Sequence, residues 1–434
     1  MICSILCDKK IAMYCLGFIG IKSACRIKAK GCFAARALLC LLLVMAGMMG
    51  LVAGQGQALE PVDALLEAPP EGNGADLALM KVQVKAQVKK SLEDAGKWFV
   101  SAIKDDGLFI YHFDPEFNSI APYNDALRQL MASRLLAEMA VENTDLLGLH
   151  RKNLERALAR WYRQTKGGLG YFLENGESAL GTNAMGLRLL SASPYYEDYA
   201  DKAIKIADTI VSLINEDGSF EPYFILPSRS FDRDYSLAFY SGEAVLALLE
   251  FYKKSGIKTY LDAARKAQEH YLDLYVARIE EKHYPASVPW QTLALANLWR
   301  ITGERRYAEA IFILNDRLLT IQDKGYYLGR FFNPDPLYGG AHTSSDGVYT
   351  ESLAYALEIA LQMEDAEREA GYRQAISLSV KNLISLQYHS NFQPAYPGRI
   401  PARGSFRSRN NDRSVRIDNV QHVMEAYRKI LSVW

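Results

Sequence analysis

Apolar residues recur at helical spacing through most of the chain after residue 84. In one window they fall at Leu127, Leu130, Met131, Leu135 and Met139, which lie on one face of a helix. No long alternating run of Val, Ile and Thr competes as a strand in this part of the sequence. The pattern predicts twelve helices, over 84–104, 124–142, 146–165, 181–192, 197–214, 235–253, 259–275, 289–302, 306–322, 349–362, 368–387 and 416–432.

The connections between the predicted helices alternate between short and long. Short links join antiparallel neighbours, and they span 143–145, 193–196, 255–258, 303–305 and 363–367. The long links span 105–121, 166–180, 215–234, 276–287, 323–348 and 388–414, with short strands predicted at 170–173 and 326–332. Long loops in a compact domain are commonly functional. Six hairpins of this kind would gather the long loops around one mouth.

An internal repeat of 47 residues supports the hairpin organisation. Its unit is a helix, a Ser/Thr-Gly turn, a Tyr and a return helix; the turn and the Tyr fall at Gly256 and Tyr260, and again at Gly303 and Tyr307. The glycines suit the left-handed residue that ends a helix, and the tyrosines are predicted to pack over the turn. A period of this length indicates stacked helical pairs. An open solenoid usually has short loops on both edges, so the long aromatic-rich loops favour a closed ring.

This arrangement resembles the six-hairpin (α/α)6 toroids, which include many glycoside hydrolases, sugar epimerases, some polysaccharide lyases and terpenoid-cyclase-like ring proteins. The resemblance covers about residues 84–434 and rests on helix number, loop alternation and the repeat. It implies an all-α (α/α)6 toroid with all long loops at one end. The helices that follow the long loops would then form the inner layer, and their first turns would face a pocket.

Composition and charge narrow the set of partners. The whole chain has zero formal net charge, but residues 1–58 contain seven Lys/Arg and one acid, so the remainder is mildly acidic. An acidic body is a poor match for nucleic acid. All six cysteines lie in the first 40 residues, which leaves the body without disulfides or thiolate metal ligands. We predict chemistry without a metal or cofactor.

The N-terminal segment reads as a targeting signal. An uncharged run of 17 residues, Ala37–Ala53, follows basic residues and precedes small ones, with a plausible cleavage site after Ala58. Because 17 residues is also the lower limit for a membrane span, a retained inner-membrane anchor stays open as the alternative. Residues 59–80, rich in Pro, Gly and acids, are predicted to be a linker before a toroid domain at 81–434. Export to the periplasm or beyond is the expectation.

Carboxyl groups recur along the predicted inner helices. Asp125, Glu243, Glu351 and Asp418 lie on these helices, and Asp346 lies in the loop just above one of them. Each taken singly is more commonly a helix cap, but as a set they suggest chemistry. Glycoside cleavage needs one protonated and one ionised carboxyl group. We predict Asp346 and Asp125 as this pair, with the other three as reserves.

A histidine offers a different chemistry at the same place. His422, with His342 as its partner, is predicted to abstract and return a proton next to a carbonyl, as the resemblance to sugar epimerases implies. A hydrogen-bonded core histidine is the more common role. Polar and aromatic groups that converge in a concavity suit a sugar. The predicted substrate-binding residues are Arg128, Trp290, Gln291, Tyr349, Arg416 and Gln421.

The resulting functional hypothesis is an exported carbohydrate-active protein, with a glycoside hydrolase as the first candidate. A sugar epimerase or polysaccharide lyase of the same fold is the second, and a non-catalytic glycan-binding or envelope scaffold is the third. Carboxyl groups about 5 to 10 Å apart in the pocket would favour hydrolysis. His422 facing His342 beside an arginine would favour epimerisation, and a filled pocket would favour the scaffold.

Overall fold

The computed structural model of the chain describes residues 74–281, 284–332, 340–389 and 401–434, with side chains from Lys81 onward. The predicted signal segment lies outside these residues. Within them, none of the helices combines the length and the apolar character that a bilayer crossing requires.

The described ranges contain twelve α-helices, which confirms the predicted segments. They are α1 Gly74–Ser101, α2 Ala126–Glu142, α3 Leu147–Trp161, α4 Leu180–Ala192, α5 Tyr196–Ser212, α6 Arg233–Ser255, α7 Lys258–Leu272, α8 Val288–Thr302, α9 Arg305–Leu319, α10 Thr343–Gln362, α11 Ala366–Leu386 and α12 Ile417–Val433. Short 3-10 turns precede α3 and α8, at Thr144–Leu146 and Pro285–Ser287, and a π-helical turn, Asp273–Ala277, follows α7.

The helices form two concentric layers. The even-numbered helices pack side by side as an inner ring, and each odd-numbered helix packs outside it. Inner helices are apolar on nearly all sides: α8 is buried continuously from Val288 to Leu298. Outer helices bury one stripe only, as α7 does with Tyr260, Ala264, Ala267 and Tyr271. This difference follows from position, because an inner helix has neighbours on every side and an outer helix has water on one.

The two ends of the chain close the ring. Helix α12 packs against both α1 and α2, so the last and first helices make the sixth hairpin. Strand β1 (His112–Asp114) pairs with β7 (Val415–Arg416), with His112 opposite Arg416. The Trp434 indole Nε1 donates a hydrogen bond to the Lys81 carbonyl oxygen at 3.1 Å. The predicted all-α (α/α)6 toroid is therefore confirmed.

The long loops carry small antiparallel sheets. The remaining strands are β2 Ser119–Ile120, β3 Tyr162–Gln164, β4 Gly170–Phe172, β5 Ser178–Ala179 and β6 Tyr223–Ile225, and the sheets have the orders β2-β1-β7, β3-β4 and β5-β6. The strand predicted at 170–173 corresponds to β4. Residues 326–332 instead form a turn whose one described bridge joins Gln322 to Phe331.

Helix α10 begins six residues before its predicted start at 349. The His342 side chain accepts the Ser345 backbone N–H, and the Ser345 hydroxyl bonds back to the His342 backbone, which makes a capping box. Gly347 resembles a helix breaker in the sequence. A Cβ there would lie 3.0 Å from the His422 backbone, so the glycine lets α10 and α12 approach closely. Asp346 consequently lies in the first turn of an inner helix rather than in a loop.

The hairpin repeat is formed as the sequence predicts. Gly256 and Gly303 end α6 and α8 with φ of +73° and +71°, in the left-handed region. Tyr260 and Tyr307 are buried at the start of the return helices. The Tyr260 hydroxyl donates to the Asp208 carboxylate at 2.9 Å, so its role is to hold the turn against the neighbouring outer helix.

Candidate functional site

Inner helices and long loops enclose a cavity of about 300 Å³. Its polar lining consists of Arg128, Glu243, His342, Ser344, Ser345, Arg416, Asp418 and His422. Its aromatic lining consists of Tyr235, Phe239, Trp290, Phe331 and Tyr349. Seven of the twelve residues predicted for the site thus meet in one concavity, and each of them comes from an inner helix or from the turn before it.

Asp418, in the first turn of α12, is held between two arginines. Arg416 donates from Nε to Oδ1 at 2.6 Å and from Nη2 to Oδ2 at 2.7 Å, and Arg128 donates from Nε to Oδ2 at 3.0 Å. Burial alone would raise the pKa of Asp418, but the charges of Arg416 and Arg128 outweigh it and hold this pKa well below the usual range. The carboxylate is therefore ionised, with both oxygens engaged and little basicity left.

Asp125 supports this arrangement from outside the cavity lining. It caps α2 by accepting the Arg128 backbone N–H at 2.9 Å, and it also accepts the Arg128 Nη1–H at 2.6 Å. Arg128 is thereby stretched between two carboxylates, Asp125 and Asp418. The position fixed in this way presents a guanidinium group to the cavity.

Glu243, on α6, is the contrasting carboxyl group of the lining. It is 3% exposed, and its Oε2 atom has no hydrogen-bond partner among the described residues. Burial raises the pKa of Glu243 to about 8, although Arg188 and Arg128 partly oppose this rise. The group is therefore a neutral acid at pH 7. Space for it is provided by Gly181, where a Cβ would overlap Oε2 and the Tyr240 ring.

His422, one turn after Asp418, is a neutral base in the cavity wall. Within the described part of the chain its Nδ1 atom has no hydrogen-bond partner. Burial lowers the pKa of His422 to about 4, which the charge of Asp418 opposes and that of Arg128 reinforces. The Trp290 ring packs edge-on against the imidazole, with centroids 6.0 Å apart. The ring is thus fixed in place and uncharged at pH 7.

His342 differs from His422 because it serves as a hydrogen-bond donor rather than as a base. Its Nδ1 accepts the Ser345 backbone N–H at 3.1 Å. Because a backbone amide can only donate, the proton of the neutral ring must lie on Nε2. Burial lowers the pKa of His342 to about 4, and the nearby Arg416 acts in the same direction. His342 therefore offers an N–H donor at neutral pH.

A second buried acid group lies close to His422. Glu351 on α10 is 6% exposed, and its Oε2 has no partner in the described residues. Glu425 on α12 accepts Arg134 Nη1–H at 2.6 Å through Oε1 and the Gln421 amide through Oε2. Burial and then the charge of Glu425 raise the pKa of Glu351 to about 8. Glu351 and Gln421 were both predicted for the site, and both lie outside the cavity lining.

These groups could be read as metal ligands. One ligand atom each of Glu351, His422 and Glu425 lies within 4.8 Å of the other two. Both oxygens of Glu425 also accept hydrogen bonds, from Arg134 and Gln421. A carboxylate oxygen can accept a hydrogen bond and bind a cation with its second lone pair, so these bonds do not remove Glu425 as a ligand, and three ligand atoms are the minimum that a zinc site needs.

Asp346, the first choice for catalysis, has a different environment. It is fully buried, and its carboxylate accepts hydrogen bonds from Arg330 Nε at 2.9 Å, the Phe331 backbone N–H at 3.1 Å and Asn382 Nδ2 at 3.1 Å. These bonds fasten the loop that carries Phe331 into the cavity wall. The predicted pair of Asp346 and Asp125 therefore does not meet in the cavity, because the early start of α10 turns Asp346 toward this loop.

The predicted binding residues divide in the same way. Trp290 and Tyr349 line the cavity. Gln291 lies behind it, where its side chain accepts Gln268 Nε2–H at 2.8 Å and donates to the Ser241 hydroxyl at 3.1 Å. These two bonds join α8 to the outer helix α7 and to the inner helix α6.

Two aromatic residues of the cavity wall, Tyr235 and Phe239, were not among the residues predicted from the sequence. Tyr235 and Phe239 precede Glu243 at four-residue steps, on one face of α6, and their rings meet edge-on with centroids 5.4 Å apart. This i, i+4, i+8 spacing was a readable signal. Phe331 carried no such signal, because contacts between distant residues, such as the Arg330–Asp346 ion pair and the bond from the Phe331 backbone N–H to Asp346, hold its loop against the ring.

Solved structures of other proteins share this fold. D-mannose isomerase superposes with a TM-score of 0.59 at 12% identity, over 81% of this chain and 98% of that one. Cellobiose 2-epimerase from Bacillus thermoamylovorans gives 0.58 at 11% identity, over 79% and 98%. A GH76 alpha-mannanase from Bacteroides thetaiotaomicron gives 0.57 at 9% identity, over 80% and 96%.

Sequence comparison adds no closer relative, since neither a protein family model nor a curated protein sequence matches the chain. At identities of 9 to 12% the structural likeness establishes the fold alone. By that likeness, and by its closed ring of six helical hairpins, the chain has the (α/α)6 toroid fold.

Proposed function

We propose that this protein is a sugar isomerase or epimerase that moves a proton at the carbon next to a sugar carbonyl. The carrying observation is that two uncharged histidines, His342 and His422, line one cavity together with Arg128 and Arg416. A base that is neutral at pH 7 and a fixed N–H donor are the two groups that enolisation of a sugar needs. Similarity in fold to D-mannose isomerase and cellobiose 2-epimerase supports this proposal.

The proposed reaction follows from the state of each group. His422 takes the proton from the carbon next to the carbonyl of an open-chain sugar, and the C–H electron pair moves into an enediolate. His342 donates its Nε2–H to the oxygen on which charge develops, and the two guanidinium groups stabilise that charge. An isomer forms when the proton returns to the neighbouring carbon while a hydroxyl proton passes from one oxygen of the enediolate to the other. An epimer forms when the enediolate turns over in the cavity, so that the proton returns to the other face of the same carbon.

The remaining lining groups would bind the sugar. The neutral Glu243 carboxyl is suited to donate a hydrogen bond to a sugar hydroxyl, and Trp290 and Tyr349 offer apolar faces for the ring carbons. A cavity of about 300 Å³ is at the small end of ligand pockets. This size favours a small sugar, or the end of a longer one.

Hydrolysis of a glycoside is the second candidate, and Glu243 is the observation that favours it. A protonated carboxyl group in the cavity wall is what a general acid requires. The reaction also needs an ionised carboxylate free to attack or to activate water. Among the described lining residues that group can only be Asp418, whose oxygens are occupied by Arg416 and Arg128. The proton-transfer proposal is therefore the stronger one.

We also propose export from the cytoplasm, on the sequence of residues 1–58 alone. The sugar substrate would then be met outside the inner membrane, whether the segment is cleaved or kept as an anchor. Cell fractionation with an antibody to the C-terminal region would separate these outcomes from a cytoplasmic protein.

The proposed activity is tested by proton exchange. The purified protein is incubated in D2O with a panel of aldoses, ketoses and disaccharides, and deuterium at the carbon next to the carbonyl is followed by NMR. We expect incorporation together with new isomer signals, and their loss in His422→Gln. His150→Gln is the matched control, because His150 is a buried neutral histidine that bonds to Ser193 and is not part of the cavity lining.

Two other outcomes have clear meanings. New reducing ends from oligosaccharides without deuterium incorporation would replace the isomerase proposal with the hydrolase. Neither product from any sugar in the panel would contradict both enzymatic proposals and leave a glycan-binding ring.

A further inference from the structure

We propose that Glu351 is a positioning residue for His422: its carboxyl group accepts the Nδ1–H of His422 and thereby leaves Nε2 with the free lone pair in the cavity. This inference rests on the proposed function for its catalytic meaning, but its geometry stands apart from any substrate. Glu351 itself does not line the cavity, so its effect would pass through the imidazole.

Two unsatisfied atoms carry the inference. Among the described residues, both the His422 Nδ1 and the Glu351 Oε2 are buried without a hydrogen-bond partner. Both residues are 6% exposed, and their ligand atoms belong to one group within 4.8 Å. A buried polar atom without a partner is costly. A small side-chain rotation that joins the two atoms in one hydrogen bond would satisfy both.

Glu425, the other acid of this group, is not available for the same bond. Its oxygens accept Arg134 and Gln421, and Arg134 also donates to Glu138 at 2.8 Å. The charged groups that act on Glu351 are Glu425 and Glu138 on one side of the balance and Arg134 and Arg188 on the other. Because the pKa of Glu351 lies at about 8, its carboxyl group is neutral at pH 7 and accepts through its carbonyl oxygen.

The direction of the bond follows from the partner histidine. The Ser345 backbone amide fixes His342 as the Nε2–H tautomer. Two histidines in that state would offer two donors and no base. A bond from His422 Nδ1–H to Glu351 gives the opposite tautomer, because the hydrogen bond of one ring nitrogen sets the state of the other. The cavity then holds one donor, His342, and one base, His422.

The same bond assists the reaction step. When His422 gains the substrate proton at Nε2, its ring becomes a cation whose Nδ1–H bond to Glu351 strengthens. The C–H electron pair stays with the substrate as the enediolate, so no further reactant is required. Return of the proton to the sugar restores the neutral ring and its first tautomer.

The test reads the tautomer directly. The protein is labelled with ¹⁵N-histidine, and His422→Gln identifies the His422 signals by their loss. We expect the wild-type His422 ring to carry its proton on Nδ1. Glu351→Gln keeps an acceptor oxygen and should keep this tautomer, whereas Glu351→Leu removes it and should shift the ring toward Nε2–H. Thermal unfolding checks that each variant is folded.

A matched control lies on the same helix. Glu358, two turns along α10 from Glu351, bonds to Arg300 and Lys429, so Glu358→Gln changes a partly buried acid without touching His422. Its histidine spectrum should equal that of the wild type. In the sugar exchange assay, Glu351→Leu should lower kcat by about 10²- to 10⁴-fold, as expected for a wrong tautomer, with KM little changed and activity largely restored in Glu351→Gln.

Three results would overturn the inference. They are a wild-type His422 that carries its proton on Nε2, a His422 spectrum unaffected by Glu351→Leu, and one zinc ion per chain that is lost in the same variant. Because the tautomer is measured without sugar, it fails or holds independently of the exchange assay. The two proposals can therefore be rejected separately.

Discussion

Two buried carboxyl groups on inner helices, Asp346 on α10 and Glu243 on α6, have opposite surroundings. Asp346 accepts three N–H groups, from Arg330, Phe331 and Asn382. Glu243 has an oxygen with no partner within the described structure. Burial raises the pKa of both, yet one is an anchor for a loop and the other an acid in a cavity wall.

The difference teaches how to separate structural from functional acids in this ring. A carboxylate whose oxygens are all engaged contributes to stability and has no capacity left for a ligand. A buried group with an empty site costs stability and keeps that site for a substrate. By the same criterion, Asp418 resembles Asp346, whereas His422 and Glu351 resemble Glu243.

The largest effect is expected on the activity, when His422, a residue with an unsatisfied polar atom, is replaced. His422→Gln should lower the rate of sugar proton exchange by about 10²- to 10⁴-fold, as for loss of a general base. The free energy of unfolding should change by less than about 1 kcal/mol, because the amide of Gln can still donate the hydrogen bond inferred from His422 to Glu351. Exchange kinetics and urea unfolding measure the two quantities. A loss of stability as large as the loss of activity would contradict the distinction.

The next largest effect is expected on the free energy of unfolding, when Asp346, whose oxygens are all hydrogen-bonded, is replaced. Asp346→Ala should destabilise the fold by about 3–5 kcal/mol, because it leaves Arg330 buried at 5% exposure without its carboxylate. Asp346→Asn keeps the shape and some of the hydrogen bonds and should cost less. Urea unfolding followed by tryptophan fluorescence provides the measurement. An Asp346→Ala protein with normal stability but no activity would return Asp346 to the list of catalytic candidates.

Replacing the Glu243 carboxyl group by an amide should show how much the unsatisfied carboxyl group lowers the free energy of unfolding. The pKa of about 8 in the folded state lies above the usual glutamate value of 4.5, so the folded state binds the proton more tightly. The contribution of this proton to the free energy of unfolding is fully present below about pH 4.5 and is lost as the pH rises toward 8. Glu243→Gln should therefore gain about 3–4 kcal/mol relative to the wild type between pH 5 and pH 8. Equal stability curves for the two proteins would mean that Glu243 is ionised when folded.

The smallest effect concerns the space beside Glu243. Gly181→Ala places a methyl group against the Glu243 carboxyl and the Tyr240 ring, and should cost about 1–2 kcal/mol and raise the KM for the sugar. Gly148→Ala on α3 is the matched control. No atom lies within 4 Å of its added Cβ in the described structure, so this helical substitution should be slightly stabilising. Thermal unfolding and substrate saturation curves compare the two variants, and equal behaviour would show that Gly181 gives Glu243 no special room.

The ring of helical hairpins could be predicted from local features of the sequence. Helical periodicity, the Gly256 and Gly303 turns and the alternation of loop lengths are local signals, and the helices form where these signals lie because backbone hydrogen bonding in a helix depends on near neighbours. The same local signals placed Arg128, Glu243, Asp418 and His422 on inner helices or in the turns before them, and these residues do line the cavity.

The side chains that keep polar atoms available for a substrate could be identified only from the three-dimensional contacts. Asp346, Glu243 and Glu351 are all acids on inner helices, and no local pattern separates them. A shift of one residue turns a side chain by about 100°, so the start of α10 at Thr343 turns Asp346 to a loop partner 16 residues away. Burial and distant arginines then set each pKa, because the electrostatic energy of a charged group depends on what surrounds it in space rather than along the chain.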